Sequence, residues 1–247
     1  MRVAVLSLNV HSICPNVRAT GEAKFDRIER VLSVIDDVGG STPFIALLQE
    51  TWLDPDRLNE YAEEGMPLIS SMSSSKYECL VSDNPDPSRQ IIGRGLMVIA
   101  HPDVIQWISR VQGKQAMLQK VEHVTVRSFE VLAGFIGPLF IVSVYVKHRR
   151  DGGRPDYDQL VDIIGRLRPP HCTFAIVGGD FNYPAHWGEV SSLFEGHLEM
   201  VSAVDGSGIT STHRRGNVLD HVLLPSRALV HGVSAVEGVF SDHAMLR

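Results

Sequence analysis

Strand-length apolar segments that end in polar residues set the frame for this chain. "FAIVGGDFN" (174–182) is the clearest case: four apolar residues, two glycines, then Asp180 and Asn182 two positions apart. A period of two carries alternate side chains to one side of a strand, so Asp180 and Asn182 are expected to face the same place. The same form recurs in "VAVLSLN", ending at Asn9, in "PFIALLQETWL", carrying Gln49 and Glu50, and in "NVLDHVLLP", carrying Asp220. Further strands are read in "GRGLMVIAHP", "HVTVRSFEVLAGFI" and "GPLFIVSVYVKH". Helices are expected in "EAKFDRIERVLSVIDDV", with Phe25, Ile28, Val31, Leu32 and Ile35 on one face, and in "YDQLVDIIGRLRPP" and "WGEVSSLFEG". Strands alternating irregularly with helices imply an α/β sandwich of mixed sheets with helices outside. Polar residues gathered at strand ends are where such scaffolds place their sites.

Length and composition narrow the alternatives. A chain of 247 residues can bury a full core without covalent staples, and the most loop-like interior stretch, 82–90, is too short for a linker between domains. One domain over 1–247 is expected. No apolar run reaches membrane-spanning length, and the N-terminal "MRVAVLSLNVHSIC" reads as a first strand rather than a signal peptide. Three widely spaced cysteines, Cys14, Cys79 and Cys172, read as reduced thiols, which places the protein inside the cell, in nucleus or cytoplasm. A net charge of −6 argues against a uniformly basic nucleic-acid-binding surface. It leaves a nuclease open, because acidic metal ligands lower the total and a bound divalent ion reverses the local sign. No glycine fingerprint opens a helix after a strand, so dinucleotide oxidoreduction has no support.

Taken singly, each strand-end residue has a plain structural alternative: a turn-forming Asn, a solvated Glu, a helix-capping Asp, a strand Tyr in the core. Their joint order is far more specific. "LSLNV", "IALLQETWL", "VSVYV", "VGGDFN", "LDHVLLP" and "SDHA" follow one another at spacings that resemble the endonuclease/exonuclease/phosphatase family, from Asn9 to His243. The resemblance implies a four-layer α/β sandwich of two mixed β-sheets flanked by helices, with the site where the sheets meet. It implies metal-assisted cleavage of a phosphate ester by Mg²⁺, with Mn²⁺ as a substitute. Glu50 would be the principal metal ligand, with Asn9 and Asp242 completing or adjoining its shell. Asp180 would orient or deprotonate the attacking water, and Asn182 would hold the phosphate or that water. His243, paired with Asp220, would donate to the scissile phosphate, and Tyr145 would donate to the phosphate or support the leaving oxygen. His11, His186, His213 and His221 carry no such support and are read as structural.

The chain departs from the family in places. His148 stands three residues after Tyr145, where abasic endonucleases carry Asn, and resembles the deoxyribonuclease I and phosphatase-like branches, in which it would protonate the leaving oxygen. His11 stands where many members carry Asp. The sequence stops four residues after His243, which suggests a domain cut from a longer polypeptide. Two basic runs, "KHRRDGGR" with Arg149 and Arg150 and "THRRGN" with Arg214 and Arg215, would contact substrate. Together these features look most like the retrotransposon endonuclease branch. The expected activity is a DNA endonuclease that nicks one strand to leave a 3′ hydroxyl and a 5′ phosphate, with a reverse transcriptase as a partner domain. The alternative is a phosphatase or small-molecule phosphodiesterase of the same fold.

Overall fold

A computed structural model describes residues 1–11, 31, 33–35, 37, 42–52, 77–83, 95–147, 153–237 and 241–247. The expected loop after His11, most of the expected first helix, the serine run 70–75 and the greater part of 82–90 lie outside the described residues.

Among the described residues, two sheets of six strands form the scaffold. The first contains β1 (Ala4–Asn9), β2 (Phe44–Gln49), β3 (Glu78–Val81), β4 (Leu96–Ala100), β11 (Ala235–Glu237) and β12 (Ala244–Leu246), in the order β11-β12-β1-β2-β4-β3. The second contains β5 (Leu118–Thr125), β6 (Phe129–Ile136), β7 (Leu139–Val146), β8 (Phe174–Asp180), β9 (Met200–Ser202) and β10 (Asp220–Pro225), in the order β5-β6-β7-β8-β10-β9. Among the described residues only β1–β2 and β7–β8 pair in parallel, so both sheets are mixed. Parallel neighbours end at the same edge, which puts Asn9 beside Gln49 in one sheet and Tyr145 beside Asp180 in the other.

Alternation then sorts the core. Ile45 and Leu47 of β2, Ile141 and Tyr145 of β7 and Ile176 of β8 point into the space between the sheets. Phe44, Ala46 and Leu48 point the other way, against Val31 and Ile35 of the helical residues 31, 33–35 and 37. Phe140, Val142 and Val144 cover the outer face of the second sheet, under α2 (Tyr157–Leu167) and α3 (Trp187–Leu198). The result is the expected sandwich of helix, sheet, sheet and helix. A further helix, α1 (Pro102–Gln112), plugs the inter-sheet space with Val104, Ile105 and Ile108. Its boundaries are set locally: the His101 side chain caps the Asp103 N–H, Pro102 opens the first turn, and Gly113 ends it in the left-handed region. No helix among the described residues is long and apolar enough to cross a membrane.

Two expectations change. The segment "HVTVRSFEVLAGFI", read as one strand, is the end of β5 and all of β6, joined through a turn at 126–128. Val126 N–H donates to the Phe129 carbonyl there, which closes a hairpin at Arg127-Ser128. The helix α1 was not expected at all, although Pro102 and Gly113 mark its ends.

His221 gives the fold a testable acid weakness. Its ring is buried, stacks on Trp187 at 3.3 Å, and pairs through Nδ1 with the Ser202 hydroxyl. Burial depresses its pKa from 6.5 to about 3. Between those values the unfolded chain binds a proton that the folded protein refuses, so this contribution is complete above pH 6.5 and is lost as pH falls towards 3. Urea unfolding at several pH values should show stability falling below pH 6.5, with a shallower fall in His221→Asn. Equal slopes in the two proteins would refute this assignment.

Candidate active site

The polar strand ends converge where the two sheets meet at one edge. Asn9, the last residue of β1, donates from Nδ2 to Glu50 Oε1 at 2.8 Å and to Asp180 Oδ2 at 2.9 Å. It therefore bridges a carboxylate of the first sheet to one of the second. Its own Oδ1 accepts the His11 N–H at 3.0 Å. Asp180 and Asp220 are register partners on β8 and β10, and Asp180 also pairs with Tyr145 on β7, so three polar side chains stand in one row. His243 closes the row: Nδ1 lies 2.8 Å from Asp220 Oδ2, and Nε2 lies 3.8 Å from Asp180 Oδ2. The buried Tyr145 phenol stands beside Glu50, whose charge acts on it. A continuous polar line thus runs from Tyr145 through Glu50, Asn9, Asp180 and His243 to Asp220.

Asn182 does meet Asp180, but not by strand alternation. β8 ends at Asp180, and Asn182 sits in the left-handed region at φ 55°. Its backbone N–H donates to Asp180 Oδ1 at 2.9 Å, and its Nδ2 donates to Asp180 Oδ2 at 3.0 Å and to the Val146 carbonyl at 2.8 Å. An Asn tolerates this conformation because its short side chain satisfies the turn locally. His11, Glu50 and Trp52 also have positive φ. Four of the five such non-glycine residues among those described flank the polar line, a concentration of backbone strain typical of functional sites.

Electrostatics follow from burial and crowding. Asp180 has no solvent exposure, and burial, then the neighbouring Asp220 and Glu50, push its carboxyl up to about 8 against the pull of His243 and Asn9. Burial alone would depress His243; the hydrogen bond and charge of Asp220, with Asp180 and Asp242 behind them, outweigh it and raise the imidazole to about 9. Burial raises the Tyr145 phenol far above its ordinary range, and the charges of Glu50 and Asp180 add to it, so this group stays a donor. Asp220 Oδ1 is buried with no hydrogen-bond partner among the described residues. An oxygen-rich cluster with such an orphan acceptor fits a hard divalent cation.

The remaining expected residues divide. Asp242 lies at the rim, where its carboxylate meets His213 Nε2 at 3.3 Å and Arg214 Nε at 3.6 Å rather than the Glu50 carboxylate. Burial is outweighed there by His243 and His213, which hold Asp242 below its ordinary range. Arg214 and Arg215 project from an exposed turn beside it. His148, Arg149 and Arg150 lie outside the described residues.

Sequence reasoning missed several residues at or behind the site. His213, read as structural, packs its ring against His243 with centroids 4.8 Å apart. The "THRRGN" run that drew attention for its arginines also held this histidine. His11, also set aside, stands 3.8 Å from Glu50 Oε2. Behind the site, Gln49 Nε2 reaches the Ser143 hydroxyl at 3.2 Å and ties β2 to β7 across the inter-sheet space. Glu130 accepts from Gly95 N–H at 3.2 Å and pairs with His123 at 2.8 Å, while the Gly95 carbonyl accepts from Thr51 N–H at 2.9 Å. That relay braces the residue next to Glu50. No sequence signal marks these contacts.

Comparison with known proteins agrees with this architecture. Among solved structures, the chain is similar to an endonuclease/exonuclease/phosphatase family protein from Leptotrichia buccalis, at 14% identity and TM-score 0.60, over 98% of this chain and 96% of that one. It is similar to the endonuclease domain of TRAS1, a telomere-specific non-LTR retrotransposon, at 15% identity and TM-score 0.56, over 98% and 94%. It is also similar to D. rerio TDP2 solved with a single-strand DNA product, at 14% identity and TM-score 0.55, over 98% and 96%. At these identities the likeness concerns the fold. No curated protein matches the chain in sequence. The sequence model of one family matches residues 6–243, nearly the whole chain. This protein therefore belongs to the endonuclease/exonuclease/phosphatase family and is a hydrolase of phosphate esters.

Proposed function

We propose that this protein is a Mg²⁺-dependent DNA endonuclease that nicks one strand to leave a 3′ hydroxyl and a 5′ phosphate. The observation that carries the reading is the buried line from Glu50 through Asn9 and Asp180 to the His243–Asp220 pair, with exposed Arg214 and Arg215 at its rim. Enzymes of the family typically depend on a divalent metal. Glu50 would hold Mg²⁺ or Mn²⁺, with Asn9 and Asp242 adjoining. When bound, the ion offsets the negative charge that builds on the phosphate oxygens as water attacks.

The protein's own residues would do the rest. Asp180, poised near neutrality, orients the attacking water and takes its proton. The new bond to phosphorus forms as the bond to the 3′ oxygen breaks, and that oxygen takes a proton from His148 to leave as the 3′ hydroxyl. His243 is cationic at neutral pH and donates through Nε2 to a nonbridging oxygen, with its ring fixed by Asp220. Asn182 fixes the Asp180 carboxylate and holds the phosphate or the water in line. Tyr145 donates to the phosphate or supports the leaving oxygen. Arg214 and Arg215 track the DNA backbone, with Arg149 and Arg150 as further contacts. The chain would act as one catalytic domain. The likeness to the TRAS1 endonuclease domain supports an origin in a retroelement polypeptide, with a reverse transcriptase as a companion domain.

Plasmid nicking tests the reading. Supercoiled DNA should convert to open circles with Mg²⁺, not with EDTA, and not with Asp180→Ala. Neutralising both Arg214 and Arg215 should slow nicking by roughly tenfold and flatten its salt dependence. Hydrolysis of bis-p-nitrophenyl phosphate should stay within about twofold, because a small diester does not reach the rim. A folded protein that hydrolyses small esters but never nicks DNA would overturn the nuclease in favour of a small phosphate-ester hydrolase. The net charge of −6 favours that second reading.

A further inference from the structure

We propose that His213, Asp242 and His243 form a second cation site, one that takes a transition metal such as Zn²⁺ rather than Mg²⁺. These side chains offer ligand atoms that all lie within 4.8 Å of one another. The backbone holds them in place before any ion arrives. His213 and His243 are paired in an antiparallel bridge, with Arg214 N–H donating to the Asp242 carbonyl at 2.9 Å and Ala244 N–H to the Thr212 carbonyl at 2.7 Å. Three ligands on two hydrogen-bonded segments lose little freedom on binding a metal.

The spacing fits the ion. His213 Nε2 and Asp242 Oδ2 are 3.3 Å apart, long for a strong charge-assisted hydrogen bond. Two ligands on a tetrahedral ion with bonds of about 2.0 Å are separated by about 3.3 Å. His243 already has the surroundings of a metal-bound histidine: Nδ1 is engaged by the Asp220 carboxylate at 2.8 Å, which leaves Nε2 to coordinate. Asp180 Oδ2 lies 3.8 Å from that Nε2, and solvent can fill the fourth position.

The donor set decides the class of metal. Two imidazoles and one carboxylate suit Zn²⁺ and its neighbours, whereas hard Mg²⁺ prefers oxygen ligands such as the Glu50 carboxylate. Coordination releases the His243 Nε2 proton to solvent, and two further features must yield. Arg214 Nε, 3.6 Å from Asp242 Oδ2, belongs to a largely exposed side chain that can turn into solvent. His213 Nδ1 accepts the Arg215 N–H at 3.1 Å, so in the metal-free protein the ring proton sits on Nε2. On binding, that proton moves to Nδ1 and the Arg215 N–H turns to solvent in its exposed turn. Only a metal with high imidazole affinity repays this exchange. Zn²⁺ held here occupies His243 Nε2, so hydrolysis would be inhibited; that consequence rests on the proposed mechanism, while the binding itself does not.

Calorimetric titration of Zn²⁺ into the substrate-free protein, in excess Mg²⁺, tests the site without any turnover. One Zn²⁺ is expected to bind, and Co²⁺ in its place should give the intense visible absorption of a tetrahedral centre. His213→Asn should weaken binding at least about tenfold with unchanged circular dichroism. Asp242→Asn, at the rim, should do the same and serves if the histidine variant does not fold. Absence of Zn²⁺ binding, or equal affinity in wild type and a folded variant, overturns the site. Nicking in Mg²⁺ without Zn²⁺ is a separate measurement, so failure of the hydrolase reading is distinguishable.

Discussion

Asp180→Asn is expected to slow phosphodiester hydrolysis by about 10²–10⁴-fold, the range lost with a positioned general base. The variant keeps the shape of the side chain but cannot accept a proton from water. It should also change how stability responds to pH. Burial and the charges of Asp220 and Glu50 raise the carboxyl from 3.8 to about 8. Between those values the folded protein holds a proton that the unfolded chain has released. The stabilisation linked to Asp180 is therefore complete below pH 3.8 and is lost as pH rises through about 8. Thermal melts of wild type should show this falling component, and melts of Asp180→Asn should lack it. Added Mg²⁺ competes with the proton, so it should raise the wild-type melting temperature more at pH 8 than at pH 5, and less so in the variant. Hydrolysis within tenfold of wild type would remove Asp180 from the chemistry. Superimposable pH profiles would remove the crowded, raised carboxyl.

Gly179→Ala is expected to cost roughly 3 kcal/mol or more, or to abolish folding. Gly179 lies one residue before Asp180 at φ 155°, and a Cβ there would overlap the Val144 carbonyl, a backbone atom of the adjoining strand β7. Neither strand can give way without breaking the pairing that sets Tyr145 beside Asp180. Gly178→Ala makes a useful contrast. Its Cβ would come 2.6 Å from Leu47 Cδ1, the tip of a side chain from the opposite sheet. That tip can swing, so a cost of about 1–3 kcal/mol is expected. Urea denaturation of the two variants should separate them clearly. If Gly179→Ala unfolds within 1 kcal/mol of wild type, as an order-of-magnitude threshold for a resolved effect, strand crowding does not explain the glycine pair.

The glycine pair also shows how far a sequence can be read. Its placement before Asp180 signals a close approach of backbone, yet which atoms approach depends on β7, a strand some 30 residues earlier in the chain, and on Leu47, across the sandwich. Side-chain alternation and strand ends are local properties, so the strands bearing Asn9, Asp180 and Asp220 were legible, as was the layering that follows from burying one strand face inward and one outward. The order of Asn9, Glu50, Asp180, Asn182, Asp220 and His243 further marked the family. Contacts between distant segments were not legible. The αL turn that folds Asn182 back onto Asp180, the His213–His243 bridge, and the Glu130–Gly95–Thr51 relay each join residues through backbone geometry or across sheets. No periodicity reports those. By itself the sequence determined an α/β sandwich with acidic and amide groups at its strand ends, because local pattern dictates which face is buried. Only the tertiary structure decided which of those groups share protons and charge, because pairing register and the closeness of the two sheets set every distance between them.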